Sequence, residues 1–351
     1  MEYVILANPG HSRVYLEQAT QLCLAELTLC CRTFSTGCNS FRRESIAGLP
    51  YYVFTADHRL TTEELARLWR LSFVYAVYEQ DGGKDAVEAV RLLPVEKTQD
   101  AFDPMVSSIL KYPGKTNEQF TRLLINLALY SSRFAKEKRP LLLDPVAGKG
   151  TTLFEGLVLG CSVSGVEQNA KAVHEAQVYF KKYLETARYK FSLKQERLSG
   201  EHKSFSSAVS RFAFAPNKES FKTPGGPQEL TLVAGDARYT DRYFKKNSFH
   251  LLVGDLPYGI AHGNVTSPGQ GSSLTRNPLE LVKACLPAWS RVLKTGGAIA
   301  LAWNTFVLPK ADLASVLEKG GLYVLLEPPY DQLEHRVDQA IRRDVIVAVK
   351  Q

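Results

Sequence analysis

Four short turns, each acidic or rich in glycine, carry the chemistry in this 351-residue sequence. The first is Leu141-Leu142-Leu143-Asp144-Pro145-Val146-Ala147-Gly148-Lys149-Gly150-Thr151-Thr152, an apolar strand that enters a glycine turn and then a helix beginning near Thr151. Glycines such as Gly148 and Gly150 accept positive φ and let a ligand come close to the main chain. The second is Glu167, which ends an apolar strand over 162–166, where a carboxylate suits a ribose diol. In the third, Gly235-Asp236-Ala237, a carboxylate can accept a hydrogen bond from an adenine amino group. The fourth is Asp255-Leu256-Pro257-Tyr258-Gly259. Ligands of open α/β sheets bind beyond the carboxyl ends of the strands, where all four turns fall. Each is commonplace alone; their succession is the specific signal.

The elements that must hold these turns are legible in the hydrophobic pattern. From Pro140 onward, short apolar strands (LLLD, CSVSGVE, LTLVAGD, FHLLVGDLP, GGAIALAW) alternate with helices, two of them over 278–293 and 310–319, and YVLLEPP and DVIVAVK follow. Apolar strands separated by helices predict a parallel sheet covered on both faces. The short connection between the last two strands predicts an antiparallel pair at one edge. Upstream, Thr116-Asn117-Glu118-Gln119 has capping-box spacing and predicts a helix through Leu123, Leu124, Leu127 and Phe134. It follows a connector over 101–115 that ends in Tyr112-Pro113-Gly114-Lys115. Residues 190–229, rich in Ser, Lys and Arg with interspersed Phe, break the pattern and predict a basic insertion, either a lid or binding loop or a solvated or disordered segment.

The first hundred residues read as a strand over 3–7, a helix over 14–32, a strand over 49–55, a helix opened by the capping box Thr61-Thr62-Glu63-Glu64, and strands over 71–79 and 89–94. The order approximates β-α-β-β-α-β, which predicts a small ferredoxin-like α+β unit without chemistry of its own. The expected domains are therefore 1–100 and 101–351.

Composition narrows the classes. Hydrophobic residues at 45% and charged residues at 23% are those of an ordinary globular chain. No apolar run approaches the ~18 residues of a bilayer span, and the first residues lack a basic segment followed by a long apolar core; no membrane association and a cytoplasmic location are expected. The six cysteines contain no C-x-x-C pair and no histidine at zinc-like spacing, so reduced thiols and no metal are expected. The net charge of +7 is uneven: residues 1–100 carry −3 and the remainder +10, with ten basic against four acidic residues from Lys181 to Lys222. A basic second half suits a phosphate-rich partner.

Residues 111–350 resemble a class I S-adenosylmethionine-dependent methyltransferase. DPVAGKGT is similar to the D-P-F-C-G-S-G-T motif of enzymes that methylate exocyclic amines, with Val146-Ala147 for Phe-Cys and Lys149 for a small hydroxyl residue. DLPYG resembles their (D/N/S)-P-P-(Y/F/W) motif, with Leu256 for the first proline, in the form associated with RNA guanine-N2 methyltransferases. KYPGKTNEQFTRLLINLA and HRVDQAIRRDVIVA are similar to segments of the tRNA guanine-N2 methyltransferase (TRM) family. The N-terminal hundred residues are too few for both the linker domain and the full THUMP RNA-binding domain of that family.

The resemblance implies a Rossmann-like fold, S-adenosylmethionine as cofactor, and RNA, tRNA first, as partner. It implies a cofactor-binding set of Pro113, Lys115, Asp144, Gly148, Gly150, Glu167, Asp236, Ala237 and Asp255. The glycine turn and the following helix N-terminus would face the methionine carboxylate, joined by Lys115 or Lys149, with Glu167 at the ribose and Asp236 and the Ala237 amide at adenine. The implied catalytic residues are Asp255, Pro257 and Tyr258. The Asp255 side chain and the Leu256 or Pro257 carbonyl would accept the two N–H bonds of the acceptor amine, with Pro257 holding the turn rigid. Tyr258 would stack on an extruded base, a contact worth about 1–3 kcal/mol.

Several alternatives stand beside guanine-N2 methylation of tRNA: rRNA as substrate, adenine N6 or cytosine N4 of DNA, a non-catalytic RNA-binding protein that keeps the fold, and a nicotinamide dehydrogenase. Glu327-Pro328-Pro329-Tyr330 mimics the fourth turn but lies after a late strand and reads as an ordinary turn. His262 and His335 read as loop or packing residues, because in-line methyl transfer needs no base.

Overall fold

A computed structural model describes residues 1–8, 13–81, 91–108, 115–199, 206–257, 278–337, 339 and 341–351, the side chains of 13–18 excepted. The chain begins with β1 (Glu2–Ala7), α1 (Arg13–Arg32), β2 (Cys38–Ile46), β3 (Leu49–Ala56), α2 (Thr62–Trp69), β4 (Val74–Asp81) and β5 (Arg91–Pro94). These strands form one antiparallel sheet in the order β2-β3-β1-β4-β5. The strand β2 was not anticipated. It lies at the sheet edge, mostly in contact with solvent, so its polar residues Asn39, Ser40, Arg42 and Arg43 show no apolar alternation. The capping box of α2 is present: Glu64 N–H donates to Thr61 Oγ1 at 3.3 Å and Thr61 N–H to Glu64 Oε2 at 2.9 Å.

The rest of the chain forms α3 (Met105–Ser108), α4 (Glu118–Ser131), β6 (Leu141–Asp144), α5 (Thr151–Val158), β7 (Ser162–Glu167), α6 (Ala170–Thr186), β8 (Lys190–Ser199), β9 (Ser206–Ala215), α7 (Lys218–Lys222) and β10 (Gln228–Ala234). It continues through α8 (Thr240–Tyr243), β11 (Phe249–Asp255), α9 (Pro278–Val292), β12 (Leu293–Asn304), α10 (Lys310–Lys319), β13 (Leu322–Leu325), β14 (His335–Arg336) and β15 (Arg342–Lys350). The second sheet has the order β13-β15-β12-β11-β6-β7-β10-β9-β8, with β14 paired to β15. Its five middle strands are parallel. Numbered along the chain they stand 3-2-1-4-5, the doubly wound Rossmann-like arrangement, with the change of direction between β6 and β11. The sheet is mixed rather than all-parallel. The strands β13 and β15 form the expected antiparallel pair, and β15 also runs against β12.

Both faces are covered because neighbouring residues along the buried strands point to opposite sides. Leu142, Leu251, Val253, Ala298, Ala300 and Val347 join the core under α4, α5 and α6. Leu143, Leu252, Ile299, Leu301 and Ile346 join Val282, Leu286 and Trp289 of α9 and Leu313 of α10. The first of these cores is continuous with that of the N-terminal sheet, whose Leu27, Phe54 and Leu68 belong to it. At this junction Glu26, fully buried, accepts hydrogen bonds from Ser72 N–H at 3.0 Å, Ser72 Oγ at 2.6 Å and Asn126 Nδ2 of α4 at 2.7 Å.

Two expectations are corrected. Residues 190–199 and 206–215 extend the sheet where a loop or disordered insertion was expected: β8 and β9 pair antiparallel with register from Lys190↔Ala215 to Ser199↔Ser206, and β9 pairs with β10. Phe212 and Phe214 of β9 lie edge-on to Phe180 of α6, each with centroids 5.2 Å away. Polar residues on the alternate positions hid this period-2 signal. The second correction concerns α4, whose cap is Asn117; its Oδ1 accepts from the N–H groups of Gln119 at 2.8 Å and Phe120 at 3.2 Å. The helix stops at Ser131, short of Phe134.

All six cysteines are free thiols, five of them buried. Among the described residues, no helix is long and apolar enough to cross a membrane, and no group of three or more His, Cys, Asp or Glu is placed to hold a metal ion.

Candidate functional site

The change of direction between β6 and β11 opens a crevice at the carboxyl ends of those strands, and the four turns converge there. The strand β6 delivers Asp144, which is 2% exposed. Its Oδ1 accepts from Val146 N–H at 2.9 Å, and Thr152 bonds the same carboxyl. Burial pushes that carboxyl up to about 7, the nearby Glu167 and Asp255 add to the rise, and the Val146 and Thr152 bonds oppose it.

The glycine turn is stitched to the neighbouring strand. Ala147 N–H donates to Val166 O at 3.0 Å and Gly150 N–H to Ala147 O at 2.8 Å. Gly148 has φ of +51° and Gly150 +93°, both in the left-handed region. A Cβ on Gly148 would meet nothing within 4 Å, so this part of the main chain faces open space. Gly150 caps α5 without a side-chain hydrogen bond. The turn also depends on Gly165 within β7, where a Cβ would lie 2.8 Å from Ala147 Cβ and 2.6 Å from Leu153 Cδ1. Gly165 is not among the candidates that motif and spacing single out; a lone glycine inside an apolar strand is the sequence signal for such a close approach.

Glu167, half-buried, accepts Gly148 N–H on Oε2 at 2.9 Å and Asn169 N–H on Oε1 at 2.7 Å, and its carbonyl accepts Gly235 N–H at 3.0 Å. Asp236 follows β10. Burial alone would raise its carboxyl, but Arg238 holds it below the usual aspartate range, with Nη2 at 2.6 Å and Nε at 2.9 Å from Oδ2. Asp236 N–H donates to the Tyr243 hydroxyl at 3.1 Å, and Ser207 of β9 donates to the same oxygen at 3.2 Å. Ala237, largely buried, opens a single 3₁₀ turn.

Asp255 ends β11 beside the glycine turn: a Cβ on its neighbour Gly254 would lie 3.2 Å from Val146 Cγ2 and 3.9 Å from Asp144 Oδ1. Its Oδ2 accepts from Thr116 Oγ1 at 2.7 Å and stands 3.8 Å from Arg343 Nη2. The Arg343 guanidinium is 4.4 Å from the Phe120 ring centroid. Leu256 is buried and its N–H donates to Ala302 O at 2.8 Å; Pro257 is half-buried. Pro113, Tyr258 and His262 lie outside the described residues.

The structure thus gathers Asp144, Gly148, Gly150, Glu167, Asp236, Ala237, Asp255 and Pro257 along one rim of the sheet. The two lysines are engaged in ion pairs, Lys149 with Glu175 of α6 at 2.7 Å and Lys115 with Glu118 at 2.5 Å. Lys115 also bonds the Ser107 carbonyl. Thr116 and Arg343 were not anticipated: Thr116 read as a helix cap, and an arginine in RRDVIVA reads as the polar start of a strand.

The mimic Glu327-Pro328-Pro329-Tyr330 is a turn packed between the two halves of the chain. Tyr330 N–H donates to Glu327 O at 2.9 Å, its hydroxyl pairs with Ser131 Oγ at 2.8 Å, and Arg32 Nη2 donates to Pro328 O at 3.2 Å. His335 packs against Phe120 with centroids 5.1 Å apart, and burial drives its imidazole down to about 4.

No protein-family model matches the sequence, and no curated protein sequence matches it. Solved structures do. Magnesium protoporphyrin IX methyltransferase of Synechocystis PCC 6803, solved with bound S-adenosylmethionine, is 12% identical and covers 68% of this chain and 87% of its own, with a TM-score of 0.40. A TehB-like S-adenosylmethionine-dependent methyltransferase of Corynebacterium glutamicum is 14% identical over 62% of this chain and 84% of its own, with a TM-score of 0.34. The 1,6-didemethyltoxoflavin-N1-methyltransferase of Burkholderia thailandensis, solved with S-adenosylhomocysteine, is 12% identical over 65% and 78%, with a TM-score of 0.35. At these similarities the likenesses bear on neither substrate nor site.

Proposed function

We propose that this chain is an S-adenosylmethionine-dependent methyltransferase acting on an exocyclic amine of a nucleic-acid base, with guanine N2 of RNA, tRNA first, as its substrate. The observation that carries this reading is the adjacency of the glycine turn and Asp255 on neighbouring strands at the sheet's change of direction.

The residues present fit the cofactor. Gly148 exposes main chain to open space where any side chain would project, and the N-terminus of α5 carries no side-chain cap, so its N–H groups suit a carboxylate. Glu167 spends one bond from each oxygen on main-chain N–H groups; a carboxylate has about four lone-pair sites, so a ribose diol can still donate to it. Asp236 and Ala237 close the far side, at the adenine. When bound, the cofactor's sulfonium supplies an electrophilic methyl group.

The remaining work is positioning. A purine exocyclic nitrogen delocalises its lone pair into the ring. Asp255 and the main-chain carbonyl of Leu256 or Pro257 accept its two N–H bonds, which favours a pyramidal nitrogen aimed across the crevice. Pro257 keeps the bend rigid. Tyr258 is assigned to stacking on the base, which must leave its helix to reach the crevice.

Transfer of a labelled methyl group to tRNA, rRNA or DNA, followed by mass spectrometry of the nucleosides, tests the reading. N2-methylguanosine from tRNA, lost in Asp255→Ala, is the expected result. N6-methyladenine or N4-methylcytosine from DNA would redirect the substrate, and an inert protein that binds no S-adenosylhomocysteine would end the enzyme assignment.

A further inference from the structure

Asp255 is held from two directions by segments far apart in the chain. Thr116, in the connector before α4, donates its hydroxyl to Oδ2 at 2.7 Å. Arg343, on β15, brings Nη2 to 3.8 Å from the same oxygen. Both charged groups are withdrawn from solvent, with side-chain exposures of 9% for Arg343 and 16% for Asp255. Screening by salt is weak at such sites, and desolvation of a guanidinium is tolerated only with good partners.

The arginine is itself held in place. Its guanidinium lies over the Phe120 ring at 4.4 Å, while Asn304↔Arg343 and His335↔Arg343 are main-chain pairs, so strands on both sides fix its backbone. A flat guanidinium can stack on the ring and present N–H groups at its edge to a carboxylate together; an ammonium cannot reproduce both contacts. Phe120 belongs to the first turn of α4, three residues after its Asn117 cap. The same short segment therefore supplies the hydroxyl on Asp255 and the surface under the arginine.

We propose that Thr116 and Arg343 are positioning residues that set the rotation of the Asp255 carboxylate toward the acceptor amine. The assignment rests on the functional reading above. A carboxylate free to rotate would meet the amine N–H groups in many geometries. One anchored on Oδ2 by a hydroxyl and a guanidinium presents a single plane. Neither anchor touches the amine; they act through Asp255.

The test uses the full chain, S-adenosylhomocysteine as the binding probe, and tRNA transcripts and duplex DNA as acceptors, with Arg343→Gln, Arg343→Lys and Thr116→Val. The expected result is a fall in kcat of about tenfold or more for Arg343→Gln and of several-fold for Thr116→Val, with partial recovery in Arg343→Lys. S-adenosylhomocysteine affinity should stay within about twofold. A kcat retained within twofold in both Arg343→Gln and Thr116→Val overturns the proposal, as does a loss that tracks weakened probe binding. If Arg343→Gln does not fold, Thr116→Val, which exchanges one hydroxyl for a methyl, decides alone. A wild-type chain inert on both acceptors overturns the functional reading and this assignment with it; an active wild type with unaffected variants overturns this assignment alone.

Discussion

The main-chain N–H of Gly148 donates to Glu167 Oε2 at 2.9 Å, which makes the turn after β6 and the carboxylate that ends β7 one mechanical unit. Two glycines serve that unit differently. At Gly148 the left-handed φ costs a substituted residue about 1–2 kcal/mol, and the new Cβ enters open space. Gly148→Ala should weaken S-adenosylhomocysteine binding about tenfold in calorimetry while the melting temperature falls only a few degrees. Gly165→Ala drives a methyl to 2.6 Å from Leu153 Cδ1 and 2.8 Å from Ala147 Cβ. Overpacking of this kind costs about 1–3 kcal/mol, so its main effect should be on thermal stability.

Tyr243 links β9 to the turn after β10, because Ser207 Oγ and Asp236 N–H both donate to its hydroxyl. Tyr243→Phe strands the buried Ser207 hydroxyl, at a cost of about 1–3 kcal/mol, and removes the acceptor of the half-buried Asp236 N–H, which water can replace. Denaturant unfolding should show a stability loss in that range. Probe affinity should drop several-fold, because Asp236 then loses the restraint on its main chain.

Stability should fall as pH rises through neutrality. Burial pushes the Glu26 carboxyl up from near 4.5 to about 7, against the bonds from Ser72 and Asn126. A folded-state value above the unfolded one means that the folded chain keeps a proton the unfolded chain has released. The stabilisation is therefore full below about pH 4.5 and lost as pH climbs through 7, on the order of 3 kcal/mol in all. Asp144, also near 7, acts in the same direction, whereas His335, lowered to about 4, weakens the fold as pH drops below 6.5. Glu26→Gln should flatten the decline measured between pH 5 and 8. The glutamine amide can be accommodated with its Nε2 in place of Oε2, where the Ser72 hydroxyl can turn to accept, while its Oε1 keeps the bonds from Ser72 N–H and Asn126 Nδ2.

The β8–β9 pair should be lost more readily than the sheet it extends. Phe180 is buried beneath Phe212 and Phe214, and Phe102 closes the same cluster at 5.3 Å from Phe214. Phe180→Ala should cost about 3–5 kcal/mol, and hydrogen exchange should report early opening of residues 206–215.

Much of this arrangement was legible because parallel strands buried on both faces are nearly continuous apolar runs, and their ends mark the ligand rim. Helices over 278–293 and 310–319 and the last antiparallel pair were visible for the same reason. Strands β2 and β8 were not, because edge strands in contact with solvent carry many polar and charged residues and resemble loops. The glycine turn, Glu167, Asp236 and Asp255 could be named from type and spacing alone. Thr116 and Arg343 could not, since they meet Asp255 only after α4 and β15 pack across the sheet. One-residue ambiguity at a helix start also concealed Thr116: with Asn117 as the cap, its hydroxyl is released for a distant partner.

The added β8–β9 pair moves the open margin of the large sheet outward from β10 to β8. A long strand with unsatisfied main-chain groups on its outer side invites intermolecular pairing and aggregation. On β8 the exposed positions include Lys190, Lys194 and Arg197, while β13 at the opposite margin has only four residues. Like charges facing one another across two such margins would repel, so the chain can carry a ten-stranded sheet without offering either flank as a template for stacking copies of itself.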